Sequence, residues 1–530
     1  MTTGPVVGHR PGGLFRSAAT VGGMTMISRL LGFVRDLLIA ATLGTGPVAD
    51  AFVVAFRFPN LFRRLFAEGA FNAAFVPLFA KRLEGDGTAS ARRFAEEAMA
   101  VLTAAVVFLL IVAEIAMPAL IYAIAPGFAD TPDKLSLAAK LTAIAFPYLP
   151  FMSLVALYSG VLNSLGRFAA AAAAPIVLNV VLIAVLIAIA PLGWDGDPAT
   201  GVALAWGVSA AGLLQFALVV IATARGGLTL RLRRPRLTPD VRRLIVLGIP
   251  GVIAGGITQI NLLIGTIFAS NQDSAVSFLY YADRIYQLPL GVVGIAIGVV
   301  LLPDLSRKLR AGDGTGVDSS QNLALEFSML LTVPAAAALI AMPWPIIQVL
   351  FERGAFSADD TLQTARALAA YGLGLPAFVL IKIFSPGFFA REDTRTPMVY
   401  AGIAMAANVA AILALFPFLG HVGIALATTV SAWLNAGLLA VTLARRGQLA
   451  IAGRTRRRVM LIVLSSALMA AGLWAVQPFA EGWFAVDVSL AVRAVALAGI
   501  VLAGAAAFVA FAHVTGAARI GEVIRLFRRR

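Results

Sequence analysis

The stretch from Ser28 to Pro77 carries more charge than an apolar segment of its length usually holds. It contains SRLLGFVRDLLIA, the turn GTGPVAD and the long run AFVVAFRFPNLFRRLFAEGAFNAAFVP. Its charged residues in these two apolar runs are Arg29, Arg35, Asp36, Arg57, Arg63, Arg64 and Glu68. An arginine near the centre of a bilayer costs roughly 2.5–3.5 kcal/mol. We therefore expect these side chains to face water, one another or a ligand.

The second of these runs predicts a helix with one polar face. At about 100° per residue, the residues on that face are Arg57, Asn60, Arg64 and Glu68, with Arg63 on its flank. Pro59 can bend this helix. A cationic, kinked face inside a membrane protein predicts a cavity that binds an anion. The alternative is that Arg63 and Arg64 lie at the cytoplasmic surface and bind anionic lipid head groups.

The composition places these helices in a polytopic membrane protein. The chain has 530 residues, of which 60% are hydrophobic and 13% charged, with a mean hydropathy of +0.89. Soluble domains carry about 25% charged residues. The predicted fold class is therefore all-α, with the net charge of +15 in loops that meet anionic lipid rather than nucleic acid. Residues 1–16 show no apolar segment with a cleavage site, so no removable signal peptide is expected.

Apolar runs of about 20 residues predict roughly fourteen membrane spans. They cover 19–43, 49–80, 94–118, 136–161, 169–191, 201–223, 242–269, 275–303, 323–349, 364–389, 397–417, 421–443, 457–477 and 489–514. Odd-numbered connections, such as FERGAFSADD and QPFAEGW, are neutral or acidic, whereas even-numbered ones, such as ARGGLTLRLRRPRLTPDVRR, are basic. By the positive-inside rule, both termini are predicted to be cytoplasmic.

The chain also repeats itself. Ala49, Phe52 and Pro77 match Ala275, Phe278 and Pro303 at one constant offset. This predicts two parallel six-span repeats around a central cavity, which is the plan of an alternating-access transporter. The predicted parts are an N-lobe (1–223), a basic cytoplasmic linker (224–243), a C-lobe (244–446) and two further spans with a basic tail (447–530).

The second repeat has its own charges within predicted spans. Asp283 and Arg284 in SFLYYADRIYQLPLG occupy the part of span 8 that corresponds to Arg57 in span 2, as a central site between two lobes requires. The alternative is a structural ion pair with no ligand. Lys382 in LIKIFSPGFF either faces the same site or extends to the cytoplasmic surface.

Signals of an enzyme or a metal site are weak. The histidines are His9, His421 and His513, and none lies beside a carboxylate pair or a plausible nucleophile. The absence of cysteine excludes disulfides and thiolate metal sites. The sequence also contains no GxxxxGK[ST] motif, so ATP is not expected as the direct energy source. We predict a transporter with no catalytic residues, no bound metal and no cofactor.

The sequence closely resembles the MurJ (MviN) family of bacterial lipid II flippases, within the multidrug/oligosaccharidyl-lipid/polysaccharide exporter superfamily. The resemblance rests on the two runs quoted above and on APGFADTPDK (125–134), YYADRIYQLPLGV (280–292) and KIFSPGFFAREDTRTP (382–397), and it spans essentially the whole chain. It implies two lobes around a cavity, with a hydrophobic groove formed by spans 13 and 14. Two departures are Arg57, where family members often carry Lys, and Gln287, where Glu is common.

The resemblance also implies a substrate and its site. The substrate is lipid II, the undecaprenyl-diphosphate-linked disaccharide-pentapeptide precursor of peptidoglycan, carried across the bacterial inner membrane. The arginines at the family's functional positions are Arg29, Arg35, Arg63 and Arg284. Further polar residues expected at the cavity are Ser28, Asp50, Arg57, Asn60, Glu68 and Asp283.

Three alternatives and several partners stay open at this point. The chain could instead be a flippase for another polyprenyl-diphosphate-linked glycan, a cation-coupled drug exporter or a non-transporting cell-wall assembly scaffold. A drug exporter is disfavoured because the expected cavity residues are mainly basic. Expected partners are membrane lipids and cell-wall synthesis proteins, and transport is expected to depend on the membrane potential or a monovalent ion.

Overall fold

The computed structural model describes the backbone of residues 11–65, 71–485 and 487–517. Within these ranges, the side chains of residues 11–19, 62–65, 72–73, 250–255, 257–258 and 292–300 are not described. The described chain is helical, and no strand occurs in it. Its helices are α1 (Pro11–Leu43), α2 (Pro47–Leu65), α3 (Phe71–Gly85), α4 (Gly87–Ile115), α5 (Met117–Ile124), α6 (Pro132–Ala145), α7 (Tyr148–Ser164), α8 (Phe168–Ile189), α9 (Pro198–Arg225), α10 (Pro239–Ala269), α11 (Ala275–Arg310), α12 (Gly314–Ala341), α13 (Pro343–Phe351), α14 (Ala358–Phe389), α15 (Arg395–Leu419), α16 (His421–Arg445), α17 (Gly453–Ala480) and α18 (Leu490–Thr515). The predicted all-α membrane fold is therefore confirmed.

Ten stretches of the described chain are long and apolar enough to cross a membrane. They correspond to predicted spans 3–6 and 9–14. The other four predicted spans fall on α1, on α2 with α3, on α10 and on α11. These segments carry the buried charges discussed below or include side chains that are not described. Fourteen spans therefore stays a prediction.

Helix boundaries follow local sequence. Ser357 begins α14 with a capping box, in which its hydroxyl accepts a hydrogen bond from the Asp360 amide while the Asp360 carboxylate accepts one from the Ser357 amide. Pro147 separates α6 from α7, and Pro343 begins α13 directly after α12 ends. Proline lacks an amide hydrogen and clashes with the preceding turn, so it starts helices more readily than it continues them.

The chain divides into two compact units, residues 1–267 and 268–530. In the first unit, the long helix α4 is followed by the short helix α5, and in the second the long helix α12 is followed by the short helix α13. These helices correspond at the offset of the sequence repeat. The predicted four-part division into lobes, linker and tail stays a prediction.

In the first unit, the basic segment after α9 is fastened to α4. The Glu96 carboxylate is buried and accepts hydrogen bonds from the Arg231 amide at 3.0 Å, from Arg92 Nε at 2.9 Å and from Arg233 Nε at 2.5 Å. Next to it, the Glu97 carboxylate accepts a hydrogen bond from the Thr238 hydroxyl at 2.9 Å. The carboxylates on α4 therefore hold the segment that the sequence predicts as a basic linker.

The second unit has an equivalent fastening on α12. Asn322 lies at the position that corresponds to Glu96 at the offset of the repeat. Its side-chain oxygen accepts a hydrogen bond from the Ala452 amide at 3.1 Å, and its nitrogen donates to the Ala450 carbonyl at 2.7 Å. One turn further along, Glu326 accepts from the Thr455 hydroxyl at 2.6 Å and from Arg458 at 2.8 Å. The duplication thus extends to the contact that holds the chain after each repeat.

Candidate anion-binding site

The charged face of the first unit begins on α2, which runs unbroken through Pro59. Arg57 is half-buried and donates from Nη1 to the Thr266 hydroxyl of α10 at 3.2 Å. Thr266 in turn donates to the Leu262 carbonyl at 3.1 Å. One turn from Arg57, the Asn60 amide donates to the Phe56 carbonyl at 2.8 Å. A guanidinium group such as that of Arg57 can form charge-assisted hydrogen bonds with an anionic ligand.

A buried polar cluster joins α1 to α8. Arg35 forms an ion pair with Asp36 at 2.7 Å and donates to the Asn179 side-chain oxygen at 2.8 Å. The Asn179 nitrogen donates to the Ser28 carbonyl at 2.8 Å and lies 3.5 Å from the Ser28 hydroxyl. Arg35 also lies over the Phe56 ring, with its Cζ 5.3 Å from the ring centroid. Two of the predicted binding residues are thus tied into the packing of α1 against α8.

Asp50 lies in a second buried cluster. Its carboxylate pairs with Lys134 of α6 at 2.7 Å, and the two side chains are 0% and 4% exposed. The Lys134 ammonium also lies 4.4 Å from the centroid of the Phe128 ring. A carboxylate with no exposed surface is not positioned to contact a bound lipid in this conformation. The role of Asp50 in binding stays a prediction.

The structure describes the side chains of some, but not all, of the remaining predicted residues of the first unit. Arg29 is exposed on α1. Arg63 and Arg64 belong to α2, but their side chains lie outside the described residues, and Glu68 lies outside them altogether. The structure therefore brings Ser28 and Arg35 together and leaves the grouping of Arg57 with Arg63, Arg64 and Glu68 as a prediction.

The charges of the second unit lie near the start of α11. The Gln287 amide donates to the Asp283 carboxylate one turn earlier on the helix. The Arg284 Cζ lies 4.5 Å from the centroid of the Tyr280 ring, and Tyr280 itself is buried. Gln287 thus orients Asp283 with a neutral amide at the position where the family commonly has Glu. The Lys382 side chain on α14 is exposed.

Sequence reasoning missed two residues that hold these clusters together, Lys134 and Asn179. Lys134 ends the motif APGFADTPDK, which carries the resemblance to the family but does not indicate an ion pair. Asn179 is the one strongly polar residue in the apolar α8, FAAAAAAPIVLNVVLIAVLIAI. A lone amide in such a helix needs a hydrogen-bond partner, and this signal would have indicated a polar contact in the protein interior.

No group of three or more histidine or acidic residues that could hold a metal ion occurs among the described side chains. The arginines and carboxylates described above offer electrostatic interactions. Guanidinium groups bind phosphate oxygens through paired, charge-assisted hydrogen bonds. A partly buried environment strengthens these hydrogen bonds.

Comparison with solved structures defines the fold. The chain matches the structure titled "Lipid II flippase MurJ, inward closed conformation" with a TM-score of 0.76, at 24% identity, covering 93% of this chain and 98% of that one. It also matches an inward-facing multidrug resistance MATE family transporter of the MOP superfamily with a TM-score of 0.62, at 15% identity, covering 81% of this chain and 98% of that one. The fold is that of a multi-pass membrane transporter of this type.

Comparison of sequences identifies the family. Residues 39–494 match the family described as "Lipid II flippase MurJ". A curated relative from Rhizobium meliloti (strain 1021), named "Probable lipid II flippase MurJ", is 52% identical over 521 residues, which cover 97% of this chain and 96% of the relative. The chain belongs to the MurJ family of lipid II flippases. The predicted family and the prediction of a multi-pass inner-membrane transporter rather than an enzyme are confirmed.

Proposed function

We propose that this protein moves lipid II from the inner to the outer leaflet of the bacterial cytoplasmic membrane. The observation that carries the proposal is family membership along almost the whole chain, at 52% identity to a relative named for this activity. The half-buried Arg57 and the exposed Arg29 supply the cationic surface that a diphosphate requires. Lipid II supplies that diphosphate between its polyprenyl tail and its disaccharide-pentapeptide.

Arginines are the residues that we expect to grip the diphosphate. Arg29, Arg57, Arg63 and Arg284 take this role, because their planar donors match two phosphate oxygens at a time. Arg35 acts less directly, since Asp36 and Asn179 already accept its hydrogen bonds. We expect it to set the packing of α1 against α8 and so the direction of Arg29.

The transport cycle proceeds by alternating access. The empty site collects positive charges that repel one another, and the bound diphosphate removes this repulsion and permits closure. The polyprenyl tail stays in lipid along spans 13 and 14, so only the head group crosses the apolar layer. Both termini lie in the cytoplasm, as the basic connections require.

The membrane potential assists the return of the empty carrier. A full unit charge crossing the field is worth about 2.3 kcal/mol per 100 mV, and the site's charges cross part of it. An inside-negative potential therefore draws the empty cationic site back toward the cytoplasm. No cofactor takes part in this scheme.

The test is head-group exposure of labelled lipid II in reconstituted vesicles, with and without an imposed potential. The wild-type protein is expected to expose the head group, and faster with the potential inside-negative. Arg63→Ala should abolish the exposure without reducing insertion. Arg456→Ala, which removes an exposed arginine at the start of α17, is the matched control and should flip normally.

Two outcomes would overturn the proposal. Wild-type rates in Arg63→Ala would refute the assignment of the arginines. Absence of flipping by a correctly folded wild-type protein that also fails to bind lipid II would favour a scaffold in cell-wall assembly. Substituting a different polyprenyl-diphosphate-linked glycan for lipid II in the same vesicles tests whether the sugars and peptide matter.

A further inference from the structure

Helices α13 and α18 pack together in the second unit, with Arg353 just after the end of α13 and Arg493 near the start of α18. Arg353 follows the C-terminal end of α13 and donates from Nη2 to the Val349 carbonyl at 3.2 Å and also to the Leu350 carbonyl. These bonds fix its guanidinium at the end of a helix, where the partial negative charge of the carbonyls favours a cation. Arg353 is therefore held in place by α13.

Arg493 lies in the first turn of α18, where a cation is disfavoured. The N-terminus of this 26-residue helix carries a partial positive charge, and the Ser489 side chain caps it. Among the described residues, the Arg493 side chain makes no hydrogen bond or ion pair, and its Nε is buried. The position of Arg493 at a helix N-terminus and the burial of its Nε cost free energy. A bound anion would remove this cost.

The two guanidinium groups act on each other. Burial, and after it the positive charge of Arg493, lowers the pKa of Arg353. The Nε of Arg353 is likewise buried without a hydrogen-bond partner among the described residues. The nearest carboxylate in the sequence, Glu352, is engaged elsewhere, because it accepts from the Thr361 hydroxyl at 2.7 Å and from Gln348 at 3.4 Å.

A cavity of about 380 Å³ borders the same pair of helices. Its walls include Trp344 and Gln348 of α13, Leu473 and Val476 of α17, Ile500 of α18 and one carboxylate, that of Glu481. Gln348 lies five residues before Arg353, and Ile500 lies seven residues after Arg493, so the cavity is about one to two helical turns from the arginines. A mostly apolar cavity beside two cations fits the end of an amphiphile whose polar group is anionic.

The sequence adds an independent reason to expect a ligand here. Arg353 is the only basic residue in FERGAFSADD, one of the connections predicted to face away from the cytoplasm. Positive residues are depleted from such connections, which are neutral or acidic elsewhere in this chain. Two arginines at that side of the membrane therefore have no role in setting orientation.

We propose that Arg353 and Arg493 form a second anion site, which binds a phosphate group at the outer face of the second unit. The fork of each guanidinium supplies paired donors to the phosphate oxygens. The phosphate neutralises the repulsion between the two arginines and offsets the unfavourable position of Arg493. Its source is either the head group of a phospholipid or free phosphate, and the site is separate from the arginines expected to grip the transported lipid.

Arg493→Gln is the variant that tests the site, because the Arg493 side chain makes no hydrogen bond among the described residues that the substitution would break. Arg366→Gln, which removes an exposed arginine of α14, is the matched control. In one arm, thermal unfolding of the full protein in detergent is followed with increasing inorganic pyrophosphate. In the other, protein in nanodiscs of phosphatidylglycerol and phosphatidylcholine is analysed by native mass spectrometry for retained phosphatidylglycerol.

Arg493→Gln should unfold at or above the wild-type temperature without phosphate, since it relieves repulsion. It should also lose about tenfold in affinity for the phosphate probe, the usual effect of deleting one charge-assisted donor. Loss in the pyrophosphate arm identifies free phosphate, and loss in the nanodisc arm identifies a lipid. Equal binding by wild type, Arg493→Gln and Arg366→Gln in both arms would overturn the proposal, as would marked destabilisation of Arg493→Gln without phosphate.

Discussion

The pairing of Asp50 with Lys134 makes a prediction that separates a structural role from a role in binding. The carboxylate and the ammonium are 2.7 Å apart, and the side chains are 0% and 4% exposed. At an effective dielectric constant of about 20, two unit charges at this distance attract by about 6 kcal/mol. Desolvation offsets much of this attraction, but removing one partner leaves the other buried charge without this counter-charge, which costs about 3–5 kcal/mol.

The perturbation is therefore a double-mutant cycle on this pair. Asp50→Asn and Lys134→Gln should each destabilise the protein by about 3–5 kcal/mol, because each leaves one buried charge without its partner. The double variant, which buries two neutral amides, should cost clearly less than the two single changes together. Apparent unfolding temperatures in detergent rank the variants by stability. Urea unfolding gives the coupling free energy between the two residues.

Lipid II flipping, measured per folded molecule, then decides the role of Asp50. If the carboxylate serves only to stabilise the fold, the double variant flips at close to the wild-type rate. If the double variant is as stable as the wild type but does not flip, Asp50 also acts on the substrate or on the transport cycle. Single changes that cost less than about 1 kcal/mol, or costs that simply add, would refute the argument from a buried ion pair.

Three further predictions concern stability and the fastening of the linker. Glu96→Ala removes the acceptor of three hydrogen bonds, so trypsin should cleave after Arg233 at least about tenfold faster, whereas an unchanged rate would show that α4 does not hold this segment. Asn179→Leu removes a hydrogen-bond acceptor of the buried Arg35 and should lower the free energy of unfolding by about 1–3 kcal/mol. An unchanged free energy of unfolding would show that this hydrogen bond does not stabilise the fold. The pKa of Asp393 is lowered to about 2, chiefly by a hydrogen bond from Arg446, so its stabilising effect is present above about pH 4 and is lost as the pH falls through 2. The difference in unfolding temperature between wild type and Asp393→Asn should accordingly be constant from pH 7 to 5 and shrink below pH 4, and a difference that grows on acidification would contradict this sign.

The sequence by itself was sufficient for the helical plan and the family. Apolar length predicts each long helix, because a segment that crosses a bilayer must satisfy its backbone hydrogen bonds internally. The constant offset also indicated the duplication, and α5 and α13 follow their long helices at equivalent positions. These features depend on residues close together in the chain, or on comparison of the chain with itself, so no tertiary information is needed.

Tertiary structure alone decided what each buried charge contacts. Helical periodicity groups Arg35 and Asp50 with residues on their own helices, but it does not say which helix packs against them. Asn179 and Lys134 reach these residues from 144 and 84 positions away in the chain. In a low-dielectric interior a charge needs a partner, and packing selects that partner. Residues that look equivalent in sequence thereby differ in structure: Arg35 and Asp50 hold helices together, whereas the binding role of the other charged residues stays a prediction.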